Sequence, residues 1–183
     1  WELLFDRLGQ PHGRKAAGGT LLIVGGAGGV GSILIQLARR LTGLTVIATA
    51  SRPETVAWVK DLGAHHAIDH SGPLDEALKA IGFDGVEMVA SLTQTERHLD
   101  AILRALKPQG RLAVIDDPKT LDIVPFKRKS LSVHWELMFT RSLFGTPDMD
   151  EQRRLLDEVS ALVDAGVIRS TATQRLGTLS PQT

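Results

Sequence analysis

The sequence predicts an α/β domain built on a doubly wound parallel sheet of six strands in the order 3-2-1-4-5-6, with helices on both faces. Three observations predict it. From Thr20 onward, short apolar runs alternate with amphipathic segments, the rhythm produced by parallel strands joined through helical crossovers. A glycine-rich turn, GGAGGVGS, stands between the first run and the first amphipathic segment. Right-handed crossovers leave few topologies for such a chain, and the doubly wound one is the simplest.

The elements follow in order. WELLFDRL at the start carries Trp1, Leu4, Phe5 and Leu8 at helical spacing. The strand candidates are TLLIV (20–24), LTVIATA (44–50), HHAID (65–69), GVEMVA (85–90), RLAVID (111–116) and SLSVHW (130–135), each bounded by glycine, proline or polar residues. Between them, helices are expected through Val30, Leu34, Leu37 and Leu41; Val56, Val59 and Leu62; Leu74, Leu78 and Ile81; and Leu99, Ile102, Leu103 and Leu106. Thr93 and Glu96 sit at capping-box spacing, and Gly43, Gly63 and Gly82 stand where helix C-termini favour a left-handed residue. A last helix is expected over 148–165, ending at Gly166.

Composition narrows the function. With 183 residues, 43% hydrophobic and 23% charged, the chain has the makings of a soluble globular domain with its own core. Its 21 basic and 21 acidic residues cancel, which removes the electrostatic footprint of a nucleic-acid or membrane-surface protein. No apolar run reaches the roughly 18 residues of a membrane span, and the start lacks the zones of a signal peptide, so a cytoplasmic location is expected. Without cysteine, disulfides and thiolate zinc sites are excluded from this chain. The abrupt helical start and the uncovered end, TATQRLGTLSPQT, suggest one dinucleotide-binding domain over 1–183, cut from a longer chain.

In the glycine turn, Gly26, Gly28 and Gly31 satisfy G-x-G-x-x-G at a strand-to-helix junction. Glycine is needed there for a tight turn, for backbone approach to a pyrophosphate and for helix–strand packing, with the pyrophosphate at the helix N-terminus. No lysine follows Gly31, so a Walker-type triphosphate site does not fit. An acid that accepts the ribose 2′-hydroxyl belongs about 20 residues on, where this sequence has Ser51 and Arg52. A hydroxyl and a guanidinium suit a 2′-phosphate, which points to NADP(H). The alternative is local: Ser51 and Glu54 also have capping-box spacing for the helix that Pro53 helps start.

The run VGGAGGVG, the phrase WVKDLGAHHAIDH (58–70), ALKPQGRLAVID (105–116) and FKRKSLSVHWELMFTRS (126–142) together resemble the cofactor domain of the medium-chain dehydrogenases and reductases. The likeness is to their zinc-type alcohol dehydrogenase-like and quinone oxidoreductase branch. It implies a Rossmann-type fold and NAD(P)H-dependent reduction of a carbonyl, quinone or activated alkene. The cleft would lie against an N-terminal chaperonin-10-like catalytic domain that this sequence lacks, and which would supply the substrate contacts and any zinc ligands. Whether zinc is present in the whole protein stays open. By the same resemblance Gly28, Gly29 and Val30 face the pyrophosphate, and Ser51 and Arg52 the adenosine end. His70 stands where relatives often have a tyrosine.

Ser91 and Leu92 follow the fourth strand and Asp116 and Asp117 the fifth, at carboxyl ends where open sheets bind ligands. Ser91 is therefore a cofactor candidate. The two aspartates read as a turn rather than an acid–base pair, so no catalytic residue is assigned. His65, His66 and His70 are not expected to share a metal, because adjacent strand residues face opposite ways, and Lys127, Arg128 and Lys129 read as a solvated run. The sixth strand, at the sheet edge, is expected to pair across a homodimer axis. A non-catalytic dinucleotide sensor and an S-adenosylmethionine-binding domain are the alternative functions; the glycine spacing and basic ribose end argue against the second.

Overall fold

The computed structural model describes residues 1–12, 18–174 and 177. Six strands, β1 (Thr20–Val24), β2 (Thr45–Thr49), β3 (His66–Ile68), β4 (Val86–Ser91), β5 (Leu106–Val114) and β6 (Ser132–Trp135), form one sheet in the order β3-β2-β1-β4-β5-β6. Every neighbouring pair is parallel. The expected doubly wound sheet is the observed one.

Strand alternation splits the core into two layers. Leu21 and Ile23 of β1 and Val46 and Ala48 of β2 point to one face, where α1 (Gly29–Leu41) and α2 (Pro53–Asp61) cover them through Leu34, Ile35, Leu37 and Val59. Leu22, Val24 and Ile47 point to the other, covered by α3 (Leu74–Ala80) and α4 (Thr95–Ala105) through Leu74, Leu78 and Ile102. All of β1 is buried, as a central strand with helices on both faces requires. Leu3, Leu4 and Leu8, in and after a π-helical turn at Leu3–Arg7, join the first layer.

Several boundaries differ from expectation, each for a local reason. Leu106, assigned to the fourth helix by its spacing, is instead the first residue of β5 and pairs with Val86. A register shift then carries the chain through Gln109, whose φ is +64°, before the ladder resumes at Arg111 opposite Met88. Gly43 is not left-handed, since α1 ends through Thr42, whose hydroxyl bonds the Ala38 carbonyl; Gly63, Gly82 and Gly166 do take positive φ. The last helix, α6 (Asp150–Asp164), falls within the expected span and stops ahead of Gly166, but a short helix that the spacing did not predict, α5 (Thr140–Phe144), precedes it and ends at left-handed Gly145. Much of the expected uncovered end, 175–176 and 178–183, lies outside the described residues.

The basic run is more than a solvated stretch. Lys129 Nζ reaches the carbonyls of Leu103 (2.7 Å), Arg104 (3.0 Å) and Leu106 (2.6 Å), so one ammonium caps the C-terminal end of α4. Among the described residues no helix is long and apolar enough to cross a membrane. The parallel sheet gathers the ends of its strands, and hence the turns after β1, β2, β4 and β5, along one carboxyl edge.

Candidate dinucleotide site

The glycine turn divides into two kinds of glycine. A Cβ on Gly26 would stand 2.8 Å from Ala48 Cβ, and one on Gly31 would stand 2.4 Å and 2.5 Å from the carbonyl oxygens of Gly25 and Gly26. These two let α1 lie against the sheet. A Cβ on Gly28 would have its nearest neighbour at 3.4 Å, and one on Gly29 would meet nothing within 4 Å. Those two keep space open. The sharp turn itself falls to Gly25, with φ +86° and its N–H donated to Thr49 Oγ1 at 3.0 Å, a residue outside the six-residue motif.

Gly28 caps α1 in an extended conformation, and its own N–H bonds the Gly25 carbonyl. Among the described residues, the N–H groups of Gly29, Val30 and Gly31 make no hydrogen bond. Val30 is 53% exposed beside them. The first turn of a thirteen-residue helix thus presents free donors and the positive end of its dipole.

Two clefts share Gly25 and Gly28 and flank the turn. On the β2 side, a cleft of about 290 Å³ is lined by Ala27, Thr49, Ala50, Ser51, Arg52, Thr55 and His70. On the β4 side, one of about 310 Å³ is lined by Gly29, Val30, Gly31, Leu92 and Thr93. Together they cross the sheet where the strand order reverses between β1 and β4, the place a dinucleotide occupies in an open doubly wound sheet.

At the β2 end, the expected Ser51–Glu54 capping box does not form. Pro53 at the first helical position makes Arg52 the N-cap residue. The Arg52 N–H donates to Thr55 Oγ1 at 3.2 Å, and the Thr55 hydroxyl donates back to the Arg52 carbonyl at 2.9 Å. Among the described residues, the exposed Ser51 hydroxyl has no side-chain partner. The Arg52 guanidinium holds Glu54 through Nε, 2.9 Å from Oε1, with 71% of the arginine side chain exposed.

His70 lines the same cleft, and its Nδ1 is buried without a partner. Its ring meets that of His98 edge-on, with centroids 6.0 Å apart. Burial, and then the neighbouring His70 and Arg97, push His98 below the usual histidine range. The other two histidines of the run serve elsewhere. His65 Nδ1 accepts the Val46 N–H at 2.9 Å, and His66 packs edge-on against Phe83.

Ser91 does not reach the cleft. It is fully buried, and its Oγ lies 2.7 Å from Thr95 Oγ1. Thr95 in turn gives its backbone N–H to Asp116 Oδ2 at 2.9 Å and its hydroxyl to Asp116 Oδ1. As the last residue of β4, Ser91 still follows the pleat into the structure, and the wall is made by Leu92 and Thr93 just beyond. The Thr93–Glu96 capping box is likewise absent: α4 begins at Thr95 behind Gln94, which has φ +52°, and Asp116 supplies the carboxylate at its N-terminus. Sequence spacing missed Thr49, Thr55 and Thr93; only their places at strand ends and in a helix's first turn could have flagged them.

A parallel sheet open at its switch point, with a glycine turn feeding free helix donors into the cleft, defines a Rossmann-type dinucleotide-binding domain. The zinc-binding dehydrogenase family model matches residues 29–161, and the chain belongs to that family, as the cofactor-binding part of a medium-chain dehydrogenase/reductase. It is similar to a Staphylococcus aureus zinc-type alcohol dehydrogenase-like protein, 33% identical over 184 residues, covering 100% of this chain and 55% of the relative. A provisionally named zinc-dependent alcohol dehydrogenase from Rhizobium etli superimposes with a TM-score of 0.89 at 56% identity, covering 97% of this chain and 52% of that one. An alcohol dehydrogenase superfamily protein from Novosphingobium aromaticivorans gives a TM-score of 0.76 at 30% identity, over 92% of this chain and 48% of that one. The chain spans about half the length of the relatives it matches. Membership of the family implies a nicotinamide dinucleotide as cofactor.

Proposed function

We propose that this chain is the NADP(H)-binding half of a cytoplasmic oxidoreductase that reduces a carbonyl, quinone or activated alkene. The site fits such a cofactor: Gly28 and Gly29 leave room for a pyrophosphate against the backbone, and the first turn of α1 offers three N–H groups that make no hydrogen bond among the described residues. When bound, the reduced nicotinamide supplies the hydride. The chain's own residues bind and orient. Gly28, Gly29 and Val30 hold the pyrophosphate, His70 borders the adenosine end, and Leu92 and Thr93 border the nicotinamide end. Substrate contacts, and zinc if the protein uses it, belong to the half of the relatives' length that this chain does not span, so no residue here is assigned to the chemical step.

The observation that carries the choice of NADP(H) is the β2 end of the cleft, where Ser51 and Arg52 stand in the lining and no carboxylate does. A guanidinium and a hydroxyl donate to a phosphate, whereas a carboxylate there would accept from a ribose hydroxyl and repel the phosphate. Calorimetric titration of the chain with NADPH, NADH and S-adenosylmethionine tests the reading. NADPH is expected to bind more tightly than NADH. Equal affinity for the two overturns the phosphate assignment, and binding of S-adenosylmethionine alone overturns the oxidoreductase assignment.

A further inference from the structure

We propose that Asp116 is a positioning residue that fixes the nicotinamide end of the cleft from behind, through Thr95, without lining the cleft itself. The inference rests on the dinucleotide reading above and names how one of its walls is held.

The chain of contacts is continuous. Asp116, just past β5, accepts both the backbone N–H and the hydroxyl of Thr95, the first residue of α4. The Thr95 hydroxyl meets Ser91 Oγ at 2.7 Å, and both Thr95 and Ser91 are fully buried. The two ends of the short loop Leu92–Gln94 are therefore pinned, one by the last residue of β4 and the other by the first of α4. Thr120 Oγ1 adds a second tie from the same β5–β6 connection, 2.8 Å from Glu96 Oε1.

What the pins hold is a wall with little slack. Leu92 and Thr93 line the cleft on the β4 side of the glycine turn. Thr93 Cγ2 lies only 2.9 Å from the position a Cβ on Gly25 would take, so the loop is packed directly against the turn. Gln94 sits at φ +52° and ψ +37°, a left-handed conformation that a non-glycine residue adopts only where its surroundings enforce it. The Asp116 carboxylate at the N-terminus of α4 provides that enforcement, since it takes the donor groups which would otherwise be unsatisfied there.

The geometry of the fold separates the two ends of the ligand. Ser51 and Arg52 follow β2, whereas the pinned loop follows β4 on the other side of β1. Loosening the loop should affect the half of the ligand that crosses β4 and leave the adenosine half alone.

The test titrates wild type, D116A and D116N with NADPH and with adenosine 2′,5′-bisphosphate, which has the adenosine and the 2′-phosphate but no nicotinamide. D116A is expected to weaken NADPH about tenfold while changing the bisphosphate less than about twofold. D116N, whose amide oxygen still accepts the Thr95 N–H, should fall between wild type and D116A. Equal loss of both ligands, or unchanged NADPH binding, overturns the positioning role. Melting curves establish that each variant is folded; should D116A not fold, D116N is read alone by the same split between ligands. Wild type that binds neither ligand overturns the dinucleotide reading instead.

Discussion

Replacing Arg52 with alanine removes the group on which the cofactor choice rests, and the structure sets the size of the effect. A hydrogen bond to a charged group contributes about 1.5–3 kcal/mol. Arg52 is 71% exposed and already holds Glu54 through Nε. Exposure places the contact at the low end of that range, and partial loss of a surface pair worth about 0.2–1 kcal/mol reduces it further. A net of roughly 1–1.4 kcal/mol corresponds to NADPH binding about five- to tenfold more weakly in R52A. NADH should change by less than about twofold, because the helix start is held by the Arg52 backbone N–H and Thr55, neither of which the substitution removes. Calorimetric titrations of both nucleotides against both proteins measure the contrast, and a repeat at high salt should shrink the NADPH gap. Glu54→Gln, which frees the guanidinium, should tighten NADPH by about two- to fivefold. An R52A variant that loses NADPH and NADH equally refutes the phosphate role.

Gly29→Ala should leave the melting temperature unchanged or raise it, since nothing lies within 4 Å of the new methyl, yet weaken both nucleotides by filling the pyrophosphate space; Gly31→Ala, which meets two backbone oxygens, should destabilise the fold by about 1–3 kcal/mol or more in urea unfolding. Burial, the largest influence on each, holds His65, His98 and His134 below the ordinary histidine range. The unfolded chain then binds more protons below about pH 6.5, so stability should be full above that pH and fall as pH drops, a slope that His98→Leu should flatten. A second acid limb comes from Glu87: burial pushes its carboxyl up, but bonds from Lys107 and Thr20 outweigh this and hold it at about 2 against an ordinary 4.5. Stability should drop again between those values, and Glu87→Gln should lack that limb. The β6 edge is expected to pair two copies of the chain, which light scattering at high micromolar concentration checks; Trp135→Glu, placing a charge on an exposed ring of that strand, should favour the monomer. With simple aldehydes or quinones this chain alone should oxidise no NADPH, and steady turnover would contradict the division of labour proposed.

The sheet order and both helix layers were legible because they follow from periodicity and handedness, which a single sequence carries. TLLIV reads as a short apolar strand and is one, buried along its whole length. The glycine motif was legible as a motif, but its mechanics were not: Gly25, outside the pattern, makes the turn, and the distinction between packing glycines and open ones needs the positions of Ala48 and of the Gly25 and Gly26 carbonyls. Ser91 shows a different limit. Its address at the carboxyl edge was right, but one step along a strand turns a side chain through the sheet, so Ser91 is buried while Leu92 and Thr93 line the cleft. Capping failed where a partner distant in sequence supplied the group, as Asp116 does for α4 and Lys129 for its other end. Local spacing holds no trace of such partners.

The central position of β1 has a consequence for the nascent chain. One edge of this strand pairs with β2 and the other with β4, yet β2, α2, β3 and α3 all leave the ribosome before β4 does. Once β1 to β3 have assembled, the apolar strand TLLIV has a complete ladder on one side and an unfilled row of peptide groups on the other. At roughly 5–20 residues per second of synthesis that row stays vacant on the order of seconds. An open apolar edge templates the pairing of strands from other chains, so crowded polysomes are where this topology is most exposed to aggregation. The arrival of Val86–Ser91 closes the edge and, in the same step, creates the second wall of the cleft.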